Sequence, residues 1–413
     1  MLPLDGVRIL DLTTVLPGRY CTMLLGEMGA EVVKIVEVKP RWDPIQLFLP
    51  KASPEKKELD EELIRTVNCG DRNKKSLALN LKDKNGKEIF YRLIKTAGVV
   101  IEGFRPGVVQ RLGIDYKRVK EINPSIIYCS ISGYGQYGPY KDLPGHDPNY
   151  QAFAGITYSN LFPDGKPMFN GFPVGDLSGG MQAVIGILLA LIARDKTGKG
   201  QFIDISITDV LVSWFSVSPI GRSYFISGRK PKPGEGLYHF MLKTKDGRYI
   251  YVSPIEPQFW EKLCQVLAIE EYIPYHRDIL IYNPAGGGKR EEIILLLQNK
   301  FETKTRDEWF QILKKADICV SPVYEIDEVF EDPHVRERMV HEIDHPMLGK
   351  VKQPGIPVKL SETPGQIRGP APLLGEHTEE ILLSLGYDKT LIENLEKRGI
   401  IFSRYKRALA LER

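Results

Sequence analysis

Cysteine is sparse in this 413-residue chain: Cys21, Cys69, Cys129, Cys264 and Cys319 are scattered, odd in number and never in a CxxC or other metal-ligand spacing. That excludes a disulfide scaffold and a structural zinc site, and it points to a reducing compartment. An excess of one charge sign is also lacking. Lys plus Arg number 56 against 53 Asp plus Glu, so the net charge of +3 supplies no whole-chain field for nucleic acid or an anionic membrane. The longest uninterrupted apolar run, residues 183–193, falls well short of the ~20 residues that span a bilayer. No basic, apolar leader pattern stands among the first residues, where Pro3 and Asp5 appear at once, so the expectation is a cytoplasmic protein without membrane insertion. The GxGxxG fingerprint is missing from the first strand-to-helix loop, residues 13–18, which disfavours a nicotinamide or flavin dinucleotide cofactor.

What is present is enough apolar material, 42% of residues, to bury a large core, in a chain long enough for two domains. Residues 7–12 and 30–36 read as buried strands flanking a helical pattern at 18–28, a right-handed parallel crossover. The alternation continues with a strand at 76–81, a helix at 83–96, strands at 99–102 and 126–130, a long helix at 179–194 and a strand at 201–205. This is an open, Rossmann-like α/β domain. Residues 228–236, rich in Gly, Pro and Lys, mark a change of texture. Beyond them, strands at 238–243 and 248–253 flank Lys245-Asp246-Gly247, a hairpin turn signal, and helical patterns follow at 259–267, 290–300 and 307–315. The expected division is a large α/β domain at 1–218, a linker at 219–234, a small α+β domain at 235–326, and a return linker and C-terminal segment at 327–413. That last segment reads as irregular apart from a helical pattern at 378–385. The charged stretch 51–62 is read as a solvated face.

Six blocks then occur in order: "LDGVRILDLTTVLPG", "MGAEVVKIVE", "DRNKKSLALNLKD", "VVIEGFRPGVVQRLGID", "YCSISGYGQYGPY" and "GQFIDISITD". Together they resemble the family III CoA-transferases and α-methylacyl-CoA racemases over nearly the whole chain. The resemblance implies an acyl-CoA substrate, no cofactor beyond the coenzyme A carried by that substrate, no metal, and an interlocked homodimer with a large α/β domain and a small domain.

The segments that separate the two subclasses lie elsewhere. "GHDPNYQAFAG", residues 145–155, is similar to the racemase motif, in which a His-Asp pair precedes Asn-Tyr; transferases usually carry an aromatic residue at the place of His146. "IEPQFW", residues 255–260, is similar to the racemase pattern as well. Gln151-Ala152 and Gly175-Asp176 fit either subclass. Singly, an Asp near a helix start is an N-cap, a His in Gly-His-Asp-Pro a turn residue, and Glu-Pro a helix start; inside the six blocks they read as a site.

Inverting a carbon beside a thioester needs one group to remove the α-proton and another to return a proton from the opposite face. The resemblance gives those roles to His146 and Asp176, an oxyanion donor role to the backbone N–H of Asp147, and a positioning role to Glu256. The alternative is transfer of CoA between carboxylic acids, with Asp176 as the nucleophile that passes through an aspartyl-CoA intermediate. For the coenzyme phosphates the family pattern points to Arg72, Lys74, Lys75 and Arg105, with Lys34 and Arg41 as weaker candidates; Tyr134 is expected to line the thioester channel. The glycines at 234–236 align with a flap segment, whereas those at 286–288 read as a surface loop. No motif specifies the acyl group.

Overall fold

The computed structural model describes residues 1–39, 66, 68–159, 166–169, 171–228, 240–280, 289–345 and 348–404. Arg41, the charged stretch 51–62, residues 229–234 of the expected linker and the two glycine clusters at 234–236 and 286–288 lie outside the described residues.

The chain runs through β1 (Arg8–Asp11), α1 (Leu16–Glu27), β2 (Glu31–Val36), β3 (Lys74–Leu79), α2 (Lys84–Ile94), β4 (Val99–Glu102), α3 (Val108–Leu112), α4 (Tyr116–Ile122), β5 (Ile127–Ser132), α5 (Asp147–Phe153), α6 (Val174–Thr197), β6 (Phe202–Ser206) and α7 (Ile207–Ser213). It continues with α8 (Pro219–Ser227), β7 (Phe240–Lys243), β8 (Tyr249–Val252), α9 (Pro257–Leu267), α10 (Arg290–Phe301), α11 (Arg306–Lys315) and β9 (Val320–Pro322). It closes with β10 (Val340–His345), β11 (Gly349–Pro354), α12 (Thr378–Ser384), α13 (Lys389–Lys397) and β12 (Ile401–Phe402).

Two units result. The first comprises Met1–Thr157, Phe169–Ser213 and Glu337–Arg413, and the second comprises Tyr158–Met168 and Trp214–Arg336. The cuts fall at 213 and 336, where the sequence pattern suggests 218 and 326, and a short excursion before α6 joins the second unit.

The first unit holds a seven-stranded sheet in the order β12-β3-β2-β1-β4-β5-β6. Strands β1 to β6 are mutually parallel, and β12 adds an antiparallel edge against β3. Neighbouring residues of one strand feed opposite helical layers: Leu10, Val33 and Val100 join Phe90 and Leu93 on one side, whereas Ile9, Val32 and Val99 join Ala183 and Ile187 on the other. Burial on both faces explains why these strands read as continuous apolar runs.

Helix α6 is 24 residues long and apolar enough by length and composition to cross a membrane. Its true extent exceeds the run at 183–193. In this fold Ala183, Ile187, Ala190 and Leu191 are buried in the core of the first unit.

In the second unit β7, β8 and β9 form an antiparallel sheet whose turn carries Gly247 at φ +78°. Phe240, Leu242, Ile250 and Val252 pack with Trp260, Leu297, Phe301 and Trp309. The C-terminal stretch is more regular than its sequence suggests, since β10 and β11 pair as a hairpin and α13 brings β12 onto the main sheet. None of the five cysteines forms a disulfide.

Candidate active site

Strand order reverses between β1 and β4, and in parallel sheets of this order ligands bind beyond the carboxyl ends of the strands at such a point. Because α6 links β5 to β6 in a parallel crossover, it begins at that same end. Its first turn carries Asp176. The sequence pattern starts this helix at 179, but it begins at Val174, so Asp176 lies inside the helix and not ahead of it.

A helix begins with backbone N–H groups that have no partner within the helix. The residue preceding α6 is Pro173, which offers no side-chain cap. The cap comes from α5: Asp147 Oδ1 accepts from the Asp176 backbone N–H at 3.0 Å. One turn along α5, the Gln151 amide donates to Asp147 Oδ2 and also to the Phe172 carbonyl at 3.1 Å. Asp147 and Gln151 are both buried, so this clasp fixes the start of α6. Glycines make the approach feasible. A Cβ at Gly175 would lie 2.9 Å from Asp147 Oδ1, and one at Gly180 would lie 2.6 Å from the Pro17 carbonyl oxygen of α1. Asp147 thus contributes its carboxylate to the site in addition to the backbone N–H expected of it.

The helix N-terminus favours a carboxylate, yet burial and the neighbouring Asp147 charge together raise Asp176 to about 7. An aspartate poised there is half ionised near neutrality, an unusual state for a merely structural cap. His146 occupies the N-cap position of α5 with its side chain exposed. Its backbone N–H donates to Asn149 Oδ1 at 2.9 Å and its carbonyl accepts from the Asn149 N–H at 2.8 Å. Tyr150, whose hydroxyl donates to the Gly145 carbonyl at 2.5 Å, meets Tyr134 edge-on at 5.4 Å. Glu256 is exposed at the N-cap of α9 in the second unit.

Four of the expected phosphate-binding cations are paired with carboxylates in the fold. Arg72 is almost fully buried; its Nε donates to Glu27 Oε1 at 2.8 Å, a second guanidinium nitrogen reaches the same oxygen, and another donates to the Pro354 carbonyl at 2.7 Å. Lys74 is buried between Asp11, at 3.3 Å, and Asp71, at 2.9 Å. Lys34 is also buried and paired with Asp71, and burial lowers it to about 8 against the pull of that carboxylate. Lys75 bridges Glu380 at 2.7 Å and Glu31 at 3.3 Å. Sequence adjacency to the family blocks did not reveal the acidic partners that arrive from α1, β1, β2 and the C-terminal segment, whereas Asp71 stands three residues before Lys74 in the same block. Arg105, exposed in the loop after β4, makes no ion pair among the described residues. The structure sets Asp147 against Asp176, with His146 beside Asp147 in the chain and Tyr134 against Tyr150 of α5, and adds Gln151, whose i, i+4 spacing from Asp147 was the available signal.

A Rossmann-ordered sheet with a poised aspartate at the helix start beyond its carboxyl end defines an α/β enzyme site built around a carboxylate. The model of CoA-transferase family III matches residues 4–378, and the chain belongs to that family. It is 34% identical to the human succinyl-CoA:glutarate CoA-transferase, covering 97% of this chain and 90% of that protein. It is 33% identical to a formyl-CoA:oxalate CoA-transferase of Rhodopseudomonas palustris, covering 96% of each. The crystal structure of a CaiB/BaiF family protein from Brucella suis superposes with a TM-score of 0.77 at 29% identity, over 93% of this chain and 99% of that one.

Proposed function

We propose that this protein transfers coenzyme A between two carboxylic acids, with Asp176 as the nucleophile. The observation that carries the reading is the clasped, partly buried Asp176 at the start of α6 in a chain whose named relatives are CoA-transferases. The expectation of a racemase yields to the alternative held beside it.

In the proposed route the Asp176 carboxylate attacks the donor thioester carbonyl and expels CoA thiolate, leaving an acyl-aspartyl anhydride. The thiolate attacks the aspartyl carbonyl, releases the donor acid and forms aspartyl-CoA. The acceptor carboxylate attacks that thioester and expels thiolate again, forming a second aspartyl anhydride, and the thiolate attacks the acceptor carbonyl of this anhydride, giving the new CoA ester and releasing the Asp176 carboxylate. Every step uses only thioester, carboxylate and thiolate. Arg105 is assigned to a coenzyme phosphate. By analogy with the named relatives, the acceptor is a small dicarboxylate such as glutarate or oxalate.

A second reading rests on His146, which immediately precedes the residue that clasps Asp176 and exposes its side chain. There Asp176 and His146 exchange the α-proton of a 2-methylacyl-CoA, assisted by Glu256. Incubation in D2O decides between the two. Succinyl-CoA with glutarate or oxalate is expected to give acceptor-dependent CoA ester, and a 2-methylacyl-CoA without acceptor no deuterium at the α-carbon. Exchange without transfer would establish the racemase instead.

The interlocked homodimer belongs to the same proposal. Met181, Ile185, Leu189 and Ile192 form an exposed apolar stripe along α6 at the spacing of one helix face. A solution mass of twice 46.8 kDa by light scattering is expected; a monomer at micromolar concentration would refute the dimer.

A further inference from the structure

Tyr134, besides meeting Tyr150, forms one wall of a cavity of about 320 Å³ lined also by Tyr137, Tyr140, Phe153, Asp204 and Asp209. Three of its rings make a corner. Tyr134 and Phe153 meet edge-to-face at 5.5 Å and 76°, Tyr140 and Phe153 at 5.2 Å and 73°, and Tyr134 and Tyr140 are tilted at 6.4 Å. Edge-to-face packing uses ring edges on one partner and leaves other faces open, and Tyr140 and Phe153 are each about half exposed.

Both carboxylates are acceptors with capacity to spare. Asp204, in the middle of β6, accepts from the Gln136 backbone N–H at 3.0 and 3.2 Å, and Asp209 is exposed in the first turn of α7. Among the described residues, no Lys, Arg or His lines the cavity. Burial, and the charge of Asp209 beside it, raise the Asp204 carboxyl against the lowering effect of the Gln136 N–H. The described lining therefore holds two mutually repelling acids and several π-faces, and among the described residues no cation balances them. An anion such as a coenzyme phosphate is repelled here, and a neutral apolar ligand leaves the acids uncompensated. A soft cation satisfies both features, since the negative ring faces attract it and the carboxylates neutralise it.

We propose that this cavity binds a small organic cation, an alkylated ammonium group, between the Tyr134, Tyr140 and Phe153 rings and the Asp204 and Asp209 carboxylates. The volume suits a small ammonium head and is at the lower end for small-molecule sites. The site does not depend on which reaction Asp176 carries. Two sources share this chemistry: a separate amine, and the ammonium end of an amino-carboxylate substrate.

Titration of tetramethylammonium into the full-length protein, followed by calorimetry and tyrosine fluorescence, tests it. Saturable binding in about the millimolar range is expected, with tert-butanol, a neutral molecule of similar size, failing to bind. Asp209→Asn, at an exposed position, and Tyr140→Leu are each expected to weaken binding about tenfold. Circular dichroism of each variant checks that the fold is retained. Absence of saturation, equal binding of the neutral molecule, or unchanged affinity in both variants would overturn the proposal. Competition kinetics with the acceptor then separates the sources. Tetramethylammonium competitive with an amino-carboxylate acceptor places the acceptor's ammonium end in the cavity, and non-competitive behaviour identifies a separate amine.

Discussion

Asp176→Asn is expected to lower kcat by about 10⁴-fold or more, because the amide cannot attack a thioester and no neighbouring group replaces it. Binding of acyl-CoA, measured by calorimetry, should change little, since Asn keeps the size of the residue and the Asp147 clasp grips the backbone N–H of residue 176 and not its side chain. In the wild type, hydroxylamine added with the donor thioester should leave a hydroxamate at residue 176 by mass spectrometry, and in the variant none. A variant that retains more than a tenth of the activity would remove Asp176 as nucleophile.

The same carboxyl sets the pH dependence. Asp176 acts ionised and is raised to about 7 by burial and the Asp147 charge, so kcat/KM should rise with pH through about 7 and level off above it. Asp147→Asn keeps an acceptor oxygen for the residue 176 N–H but removes the repelling charge, so this limb should move to lower pH. A limb unmoved in Asp147→Asn would mean that another group titrates there.

Arg72→Ala is expected to cost about 3–5 kcal/mol of folding stability by urea denaturation, because it leaves Glu27 buried without its partner. Glu27 is fully buried, and burial already raises its pKa against the opposing pull of Arg72. The sign of the pH effect follows: once Arg72 is removed the folded protein holds Glu27 protonated more readily, so the deficit should shrink as pH falls through the carboxylate range and grow as pH rises. Replacing both residues, Arg72→Met with Glu27→Leu, should recover much of the loss. A merely reduced affinity for CoA at unchanged stability would instead return Arg72 to the ligand site.

The contrast between these two positions shows where sequence reading succeeds. Strand β4 was legible to its bounds, and β1, β2, α1 and the β7–β8 hairpin to within two residues, because doubly buried strands and amphipathic helices write their periods into local composition. The hairpin of β10 and β11 was not legible: Glu342, Asp344, Lys350 and Lys352 interrupt any apolar alternation. Helix α6 was placed five residues late, since Gly175, Gly179 and Gly180 look like a break and are instead the points where Asp147, Ile207 and Pro17 press against its backbone.

Sequence alone determined the family and the parallel α/β layout, because each is carried by order and identity of residues along the chain. Tertiary structure alone decided what the charged residues do. Arg72, Lys74, Lys75 and Lys34 carry the family's basic pattern, but most of their ion pairs join segments far apart in sequence: Glu27, Asp11, Glu380 and, for Lys34, Asp71 hold those cations in the fold, while the Lys74–Asp71 pair is local. The same physics, run in reverse, gives Asp176 its character: burial and a second carboxylate from α5 raise an ordinary aspartate carboxyl to about 7.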